Sequence, residues 1–327
     1  MPELPDSLAI TLRAFQESRI LLTAIELDLF TAVGEGARAA DVAGRIGTNP
    51  RATEMLMNAL VAVGALTKKD GVFHNTAASA EHFVSGAASG GRLPFMHSVH
   101  LWDRWSKLTE CVRAGTAADL EEVDQRGDEW ISAFIAAMQR NSLDGAPVVV
   151  NAVDASVVRR MLDLGGGSAA YSIAFAEANP NLQAVIFDLK PVLAIAQTHI
   201  DRAGLASRIT TRAGDLRTDE YGEGFDMVFV SSICHMLSPE ENIEMFRKAR
   251  AALNASGRII MRDFILEPDK TSPKQAAIFA LNMLVGTPKG SSYSRVEYKD
   301  WLEQAGFKEV RYARLSTPAS LMIGVKA

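Results

Sequence analysis

The chain has 327 residues, of which 48% are apolar and 22% are charged, as expected of a globular protein with a sizeable core and enough length for two domains. Its net charge of −5 argues against non-specific binding to nucleic acid or to an anionic membrane, and no apolar run approaches the roughly 18 residues of a membrane span. The two cysteines are too far apart in sequence to suggest a disulfide or zinc framework, and no signal peptide is visible, so we expect a cytoplasmic location.

The first part of the chain is predicted to be helical. Apolar residues recur at helical spacing and predict a long first helix that runs towards Phe30: Leu8, Leu12, Phe15 and Leu22. Shorter helices are predicted over 39–46 and from Pro50 to Val63, where Asn49 can cap the second helix and proline suits its first position. Lys69-Asp70-Gly71 predicts the turn of a hairpin. Helix, helix and hairpin in this order indicate a winged-helix domain.

Further helices are predicted around 97–112 and 128–140, and from residue 160 strands and helices alternate. Strands are predicted to end at Leu164, Asp188, Arg212 and Asp263, with helices between them. This alternation predicts an α/β fold, a doubly wound Rossmann-like parallel sheet. Residues 307–315 and 320–327 flank Thr317-Pro318 and predict an antiparallel hairpin that closes the sheet.

A glycine-rich turn follows the first strand of this half. The apolar strand carries Asp163 and leads into Gly165-Gly166-Gly167. Because glycine has no Cβ, the backbone there can pass very close to a ligand. Polar residues also close three later strands: Asp188, Asp215 and His235. Open α/β sheets bind ligands at the carboxyl ends of their strands, so the pattern indicates a nucleotide-type cofactor pocket with a histidine beside it.

The glycine spacing alone leaves two cofactors open. Gly165-x-Gly167-x-x-Ala170 also fits a dinucleotide fingerprint, with Asp188 near the position of a ribose-binding acid. An NAD-dependent oxidoreductase is therefore one alternative. A DNA-binding regulator is another, because a winged helix is predicted. Its candidate recognition helix, 51–60, has one Arg, one Glu and a mostly apolar surface, which favours burial in a dimer over a DNA groove.

Several segments in the right order resemble the small-molecule O-methyltransferases that use S-adenosylmethionine, the plant caffeate and hydroxyindole type and its bacterial relatives. Residues 22–30 and 51–66 resemble the N-terminal winged-helix dimerisation domain of that family, and 162–167, 187–189, 214–215 and 232–235 resemble its catalytic domain. The resemblance implies a homodimer with a dimerisation domain over 1–105 and a methyltransferase domain over 106–327. It also implies a small aromatic or polyketide-like acceptor, with no nucleic-acid, membrane or metal partner.

The resemblance also assigns residues to S-adenosylmethionine. Asp163 stands two residues before the first glycine, as in methyltransferases, and Leu216 would pack on the adenine with Ser231 beside the ring. The implied cofactor set is Asp163, Gly165, Gly167, Asp188, Leu189, Gly214, Asp215, Leu216 and Ser231.

His235 is the residue that the resemblance assigns as catalytic base. The capping box at Ser238 to Glu241, with proline at the first helical position, places His235 in a strand-to-helix turn, which we expect at the pocket mouth rather than in the core. A phenol has a pKa of ~10 and a histidine one of ~6.5, so a histidine can accept the proton near neutral pH. Asp263 matches the acid that orients this histidine and fixes its tautomer.

The chain departs from the plant pattern at two places. Ser292 stands where a second acid is expected, and Met236-Leu237 replaces the usual Asp-Trp. A relative that keeps the cofactor but has changed its chemistry, with C- or N-methylation or none, therefore stays an alternative. Family analogy places an acceptor pocket at Trp102, Phe134, Met138, Phe279, Asn282 and Met283.

Overall fold

The computed structural model describes residues 4–119 and 127–327. Two compact units divide the described chain. The first holds the residues up to Asp103 together with Ser132–Ala137, and the second holds Arg104–Ile131 and Met138–Ala327. None of the described helices combines the length and the apolar character that a membrane crossing requires.

The first unit is helical with one small hairpin. Its elements are α1 (Asp6–Glu26), α2 (Leu29–Val33), α3 (Ala39–Ile46), α4 (Pro50–Ala62), β1 (Leu66–Lys69), β2 (Val72–Asn75), α5 (Ala77–His82) and the start of α6 (Leu93–Ser106). The Asn49 side chain accepts from the Ala52 N–H and caps α4. Asp70 and Gly71, with φ of 51° and 77°, form the two-residue turn between the antiparallel strands. The helix, helix, hairpin order is confirmed.

The first helix is shorter than predicted, because it ends at Glu26 instead of continuing towards Phe30. Asp28 adopts a left-handed φ of 52° and interrupts the helix. Its carboxylate accepts hydrogen bonds from the hydroxyls of Thr31 (2.6 Å) and Ser85 (3.0 Å). Aspartate tolerates this conformation when its side chain bonds locally, so the helix restarts as α2.

The second unit contains a seven-stranded sheet. Its elements are α7 (Leu108–Ala114), α8 (Asp128–Ala152, shared with the first unit), β3 (Arg160–Leu164), α9 (Ala170–Ala178), β4 (Gln183–Asp188), α10 (Lys190–Arg202), β5 (Ile209–Ala213), β6 (Phe225–Ser231), α11 (Pro239–Ala252), β7 (Leu253–Asp263), α12 (Lys274–Gly286), α13 (Arg295–Gln304), β8 (Phe307–Arg314) and β9 (Ser320–Lys326). Two helices differ from the prediction. The helix predicted around 97–112 is divided into α6 and α7, and the helix from Asp128 continues to Ala152.

The strand order is β5-β4-β3-β6-β7-β9-β8. The pairs among β3, β4, β5, β6 and β7 are parallel, and β9 pairs antiparallel with both β7 and β8. The doubly wound sheet and its closing antiparallel hairpin are therefore as predicted. Chain order reverses at β3, which lies between β4 and β6. This switch point opens a crevice at the carboxyl ends of the strands.

Alternation along the central strands divides the core between the two faces of the sheet. Met161, Phe229 and Ile260 pack on the face covered by α9 and the end of α8. Leu162, Val228 and Met261 pack on the opposite face with α11 and α13. Since side chains alternate between faces, Arg262 follows Ile260 on the α8 and α9 face, whereas Asp263 follows Met261 on the α11 and α13 face.

Candidate active site

The glycine turn after β3 is closely covered by side chains. Gly165 and Gly167 have φ of +67° and +56°, which glycine adopts without strain. A Cβ on Gly165 would lie 2.3 Å from Ile233 Cδ1 and 3.7 Å from Leu216 Cδ1. Any larger residue at 165 would therefore displace Ile233, so the turn requires glycine on grounds of both space and backbone conformation.

Asp163 is a buried acid beneath this turn. Its side chain is 2% exposed, and the Ser172 hydroxyl donates to Oδ2 at 2.6 Å. Burial raises the pKa of Asp163 to about 7; the Ser172 hydrogen bond opposes the shift, and the nearby Asp188 adds to it. No lysine, arginine or histidine of the described chain lies within ion-pair distance of this carboxyl group. The site thus holds an acid that lacks a protein cation.

Asp188, at the end of β4, connects the glycine turn to the next helix. Its Oδ2 accepts from the Gly167 N–H at 2.8 Å, and its Oδ1 accepts from the Leu189 N–H at 2.7 Å. Burial raises the pKa of Asp188, and the two backbone donors act in the opposite direction. Each oxygen still has lone-pair capacity for a further donor, so Asp188 can accept from hydroxyl groups in the crevice.

The acid after the third strand, Asp215, hydrogen-bonds within its own loop, which the sequence did not predict. Asp215 Oδ1 accepts from the Arg217 N–H at 2.7 Å, which folds the loop after β5 back on itself. Gly214 leaves room for the Phe187 ring, whose Cζ would lie 2.2 Å from a Cβ there. Leu216 is half-buried, and its carbonyl oxygen accepts from the Tyr221 hydroxyl at 2.6 Å. These contacts fix the Leu216 backbone beside Gly165.

His235 and Asp263 form a buried pair on the α11 and α13 face. His235 lies in a 3₁₀ turn, Cys234–Met236, between β6 and α11, and its Nδ1 is 2.6 Å from Asp263 Oδ1. The carboxylate also accepts from the His235 and Phe264 N–H groups at 3.2 and 2.8 Å. A carboxylate partner places the imidazole proton on Nδ1, which leaves the Nε2 lone pair free to accept a proton.

His235 is more buried than the sequence predicts. The residue is 5% exposed, so it does not stand at an open pocket mouth, although it does lie in the predicted turn. Phe279, at a ring-centroid distance of 4.8 Å, packs edge-on against the imidazole and contributes to this burial. Its neighbour Cys234 is 1% exposed and packs in the core.

Other residues hold the turn, and no sequence motif indicated them. The Asn242 side-chain N–H groups donate to the carbonyl oxygens of Cys234, Leu237 and Ser238. On the opposite side, the Ser291 N–H donates to the His235 carbonyl oxygen at 2.9 Å. The Ser238–Glu241 capping box was visible in the sequence and is present; Asn242, directly after it, is the part that a closer reading could have singled out.

The position of the missing second acid is buried. Ser292 is 1% exposed, and its hydroxyl has no hydrogen-bond partner among the described residues. Tyr298, and not Ser292, contacts Asp263, the acid bonded to His235. The buried Tyr298 hydroxyl donates to Asp263 Oδ2 at 3.4 Å. Asp263 therefore has a tyrosine neighbour, and Ser292 occupies the position at which the resemblance predicts a second carboxylate.

The six predicted acceptor-pocket residues are distributed over both units. Trp102 and Phe134 belong to the first unit, where Phe134 packs edge-on against His97. Met138, Phe279, Asn282 and Met283 belong to the second unit. Of these four, Phe279 contacts His235, whereas the Asn282 side-chain oxygen accepts from the Trp105 indole N–H at 2.9 Å. Met283 is buried in α12, and Met138 is half-buried in α8.

Ser231, at the end of β6, contacts an arginine that sequence reasoning missed. Arg262 is paired with Ser231 across the parallel strands β6 and β7. Its Nη1 donates to the hydroxyls of Ser231 at 3.3 Å and Ser232 at 3.1 Å. An arginine inside a β-strand normally indicates an exposed position, which is why the sequence drew no attention to it.

Comparison with known proteins identifies the family. Residues 105–308 match the O-methyltransferase domain, and residues 11–85 match the O-methyltransferase dimerisation domain. The 3-hydroxy-5-methyl-1-naphthoate 3-O-methyltransferase of Streptomyces sahachiroi is 33% identical over 325 residues, which cover 95% of this chain and 92% of that protein. The tetracenomycin polyketide synthesis 8-O-methyl transferase TcmO of Streptomyces glaucescens is 28% identical, covering 98% and 96%.

Solved structures agree with the sequence comparison. The structure of PigF with SAH (S-adenosylhomocysteine), a protein of Serratia sp., superposes with a TM-score of 0.91 at 26% identity and covers 99% of this chain and 100% of that one. The seven-stranded sheet, the glycine turn and the acids at the strand ends thus occur in a fold that holds this cofactor product. The chain belongs to the O-methyltransferase family, and it is an S-adenosylmethionine-dependent O-methyltransferase.

Proposed function

We propose that His235 is the general base that removes the proton from the acceptor hydroxyl, and that Asp263 orients it. The distance of 2.6 Å between His235 Nδ1 and Asp263 Oδ1 is the observation that carries this proposal. Two backbone N–H groups and the Tyr298 hydroxyl hold the carboxylate in place. A carboxylate on Nδ1 both fixes the tautomer and stabilises the imidazolium that forms on proton transfer.

The residues at the strand ends fit S-adenosylmethionine. Asp163, buried and without a protein cation among the described residues, would take the ammonium group of the methionine portion. Asp188 would accept from the ribose hydroxyls, and Leu216, beside Asp215, would pack on the adenine. Gly165 and Gly167 would let the backbone approach the cofactor. Leu189, Gly214 and Ser231 complete the proposed set.

When bound, the cofactor supplies a methyl group already activated by its sulfonium. The protein then has to orient the acceptor oxygen in line with that methyl and take its proton. His235 Nε2 would receive this proton while Nδ1–H stays bonded to Asp263. Phe279 and the enclosed turn exclude water from the imidazole, which strengthens its interaction with the carboxylate.

The acceptor is proposed to be a hydroxylated aromatic compound or polyketide. The related Streptomyces enzymes are named for a hydroxynaphthoate and for tetracenomycin. Aromatic and thioether side chains on α8 and α12, Phe279, Met138 and Met283, suit a flat apolar ring. Trp102, Phe134 and Asn282 stay proposed contacts as well. Incubation with S-adenosylmethionine and a panel of hydroxylated aromatics tests this proposal; methyl transfer to carbon or nitrogen only would contradict it.

Replacement of Asp188 by asparagine is expected to weaken S-adenosylhomocysteine binding by at least tenfold. Hydrogen bonds to a charged acceptor contribute about 1.5–3 kcal/mol, and the asparagine amide can offer only one oxygen to the backbone and the ribose. Isothermal titration calorimetry measures the effect. Asp300→Asn, an exposed acid on α13, is the matched control and should bind normally. Unchanged affinity in Asp188→Asn would remove this residue from the proposed cofactor set.

We also propose that the chain forms a homodimer through its first unit. The family match over residues 11–85 is a dimerisation domain, and α1 exposes large apolar side chains: Leu8 (53%), Ile10 (69%), Leu12 (68%) and Phe15 (57%). Such a row of exposed apolar residues is typical of an interface. Burial of apolar area contributes roughly 25 cal/mol per Å², so the loss of several of these side chains should weaken the association strongly.

The double variant Leu12→Asp with Phe15→Asp is expected to sediment as a monomer at micromolar concentration, since two buried charges would oppose association. Analytical ultracentrifugation of the full chain distinguishes the two states. Val157→Asp, an exposed apolar residue (78%) in the second unit, serves as control and should stay dimeric. A wild-type monomer at the same concentration would contradict the homodimer.

A further inference from the structure

Arg262 is a buried cation without a protein anion. The residue is 8% exposed, and no carboxylate of the described residues lies within 4.0 Å of its guanidinium. Its Nη1 donates to two serine hydroxyls, and its Nε has no hydrogen-bond partner among residues 4–119 and 127–327. Within the part of the chain that the structure describes, the Arg262 guanidinium therefore hydrogen-bonds to neutral groups only.

Such an arrangement is unfavourable unless something else supplies the opposite charge. A guanidinium cannot lose its proton under ordinary conditions, so burial cannot neutralise it. Buried charges in proteins are paired as a rule, and an unpaired one carries a large desolvation penalty. Asp263, the next residue in the chain, is on the other face of the sheet and is bonded to His235. The counter-charge for Arg262 is consequently expected from a bound molecule.

Tyr171, on α9, provides a second unpartnered polar atom at the same place. The Arg262 Cζ lies 5.5 Å from the centroid of the Tyr171 ring, and Tyr171 Oη is buried without a hydrogen bond among the described residues. Burial raises the pKa of Tyr171, while the charge of Arg262 acts in the opposite direction. The hydroxyl group therefore keeps its proton and stays available as a donor.

Gly145 of α8 lets these two groups lie close to the helix backbone. A Cβ built on Gly145 would lie 3.0 Å from Tyr171 Oη, 3.5 Å from Arg262 Nη2 and 4.0 Å from Arg262 Nε. An atom adjacent to this glycine would thus meet a phenol and a guanidinium together. Glycine in a helix interior costs roughly 0.5–1 kcal/mol relative to alanine, and here the absence of a Cβ makes room for the two polar donors.

We infer that Arg262 and Tyr171 form a subsite for a carboxylate carried by one of the two reactants. Arginine donates two parallel N–H groups, which match the two oxygens of a carboxylate, and a phenol can add a third donor. Arg262 contacts Ser231 and Ser232, three or four residues before His235 in the chain. The subsite therefore lies at the end of the strand that leads to the proposed base, and the inference depends on the function proposed above.

The carboxylate has two chemically equivalent sources. One is the amino-acid portion of S-adenosylmethionine, and the other is an acidic group on an aromatic acceptor. Two pairs of probes distinguish these two sources. For both pairs the affinity is measured by calorimetry, so the result does not depend on turnover. The first pair is SAH and 5′-methylthioadenosine, which lacks the amino-acid portion. The second is 3-hydroxy-1-naphthoate and 2-naphthol, which lacks the carboxyl group, each titrated with SAH present.

Arg262→Gln is expected to reduce the preference for the carboxylate member of one pair by at least about tenfold, consistent with the strength of charged hydrogen bonds. Loss in the first pair assigns the cofactor carboxylate, and loss in the second assigns the acceptor carboxylate. Arg262→Lys keeps the charge but loses the two parallel N–H donors of the guanidinium. Its preference for the carboxylate member should therefore lie between those of wild type and Arg262→Gln. Binding of the member that lacks the carboxylate should change little, because those probes make no contact with the guanidinium.

Gly145→Ala tests the same subsite without removing the charge, in case Arg262→Gln does not fold. Its methyl group would lie 3.0 Å from Tyr171 Oη and 3.5 Å from Arg262 Nη2 and would displace these donors, so it should also lower the carboxylate preference. Gly44→Ala, on α3, has no atom within 4 Å of its Cβ and is the matched control. If Arg262→Gln folds and keeps the wild-type ratio of affinities in both probe pairs, the subsite is overturned. If Arg262→Gln is unfolded, the same result for Gly145→Ala overturns it. Failure of the wild-type chain to bind SAH at all would instead overturn the proposed function.

Discussion

Replacement of His235 by alanine is expected to lower the turnover number by about 10²–10⁴-fold, the usual contribution of a general base. The affinity for S-adenosylmethionine should stay near that of wild type, because His235 is on the α11 and α13 face, while Asp163 and Gly165 are at the glycine turn. The loss should therefore appear in turnover and not in cofactor binding. Steady-state kinetics with an identified acceptor, combined with calorimetry, measures both.

The variant Asp263→Asn provides the control for this prediction. Asp263→Asn should lose less activity than His235→Ala, because the geometry persists while the stabilising charge is removed. A nearly full rate in His235→Ala would indicate an acceptor that is already ionised, and His235 would then only position it.

Asp163→Asn is expected to make the cofactor-free protein more stable at pH 8, by roughly 1–4 kcal/mol given about 1.4 kcal/mol per pKa unit. The folded protein raises the pKa of Asp163 to about 7, so it binds this proton more tightly than the unfolded chain does. The contribution of Asp163 to stability is therefore greatest below the ordinary aspartate pKa of about 3.9. This contribution decreases as the pH rises towards 7, and above pH 7 it no longer changes with pH.

The difference in the free energy of unfolding between variant and wild type should thus be large at pH 8 and small at pH 5. Urea denaturation at both pH values measures it, and Asp300→Asn should show no such change. The same variant should bind S-adenosylhomocysteine more weakly, because the proposed ammonium partner loses its charge. A pH-independent difference would show that Asp163 is ionised throughout. Normal cofactor binding would remove it from the proposed set.

Local sequence signals predicted the elements that depend on local chemistry. Asn49 capping α4, the Asp70-Gly71 turn and the glycine turn at Gly165 each follow from the conformational preferences of a few adjacent residues. Such preferences also placed His235 in its turn, through the capping box that starts α11. The largely buried strands β3 and β6 were recognisable from their short apolar runs.

Contacts between distant residues were not accessible in this way. Tyr298 reaches Asp263 across 35 positions, and Asn242 holds the histidine turn through three backbone carbonyl groups. Asp28 ends α1 because it bonds to Ser85, 57 residues away. Arg262 looked like a surface residue until strand pairing placed it beside Ser231. Each case depends on tertiary packing, which overrides the local preference.

The length of strand β7 is constrained in evolution, because Arg262 and Asp263 are adjacent and project to opposite faces of the sheet. From Arg258 onwards β7 pairs without interruption with β6 on one side and β9 on the other. A one-residue deletion within this stretch would exchange the faces, moving the cation to the α11 and α13 face and the acid to the Tyr171 side. The pairing with β6 is already irregular between Leu253 and Arg258. Changes in chain length can be absorbed there, so descendants of this protein can vary at the entrance of β7 and still inherit the polarity of the site.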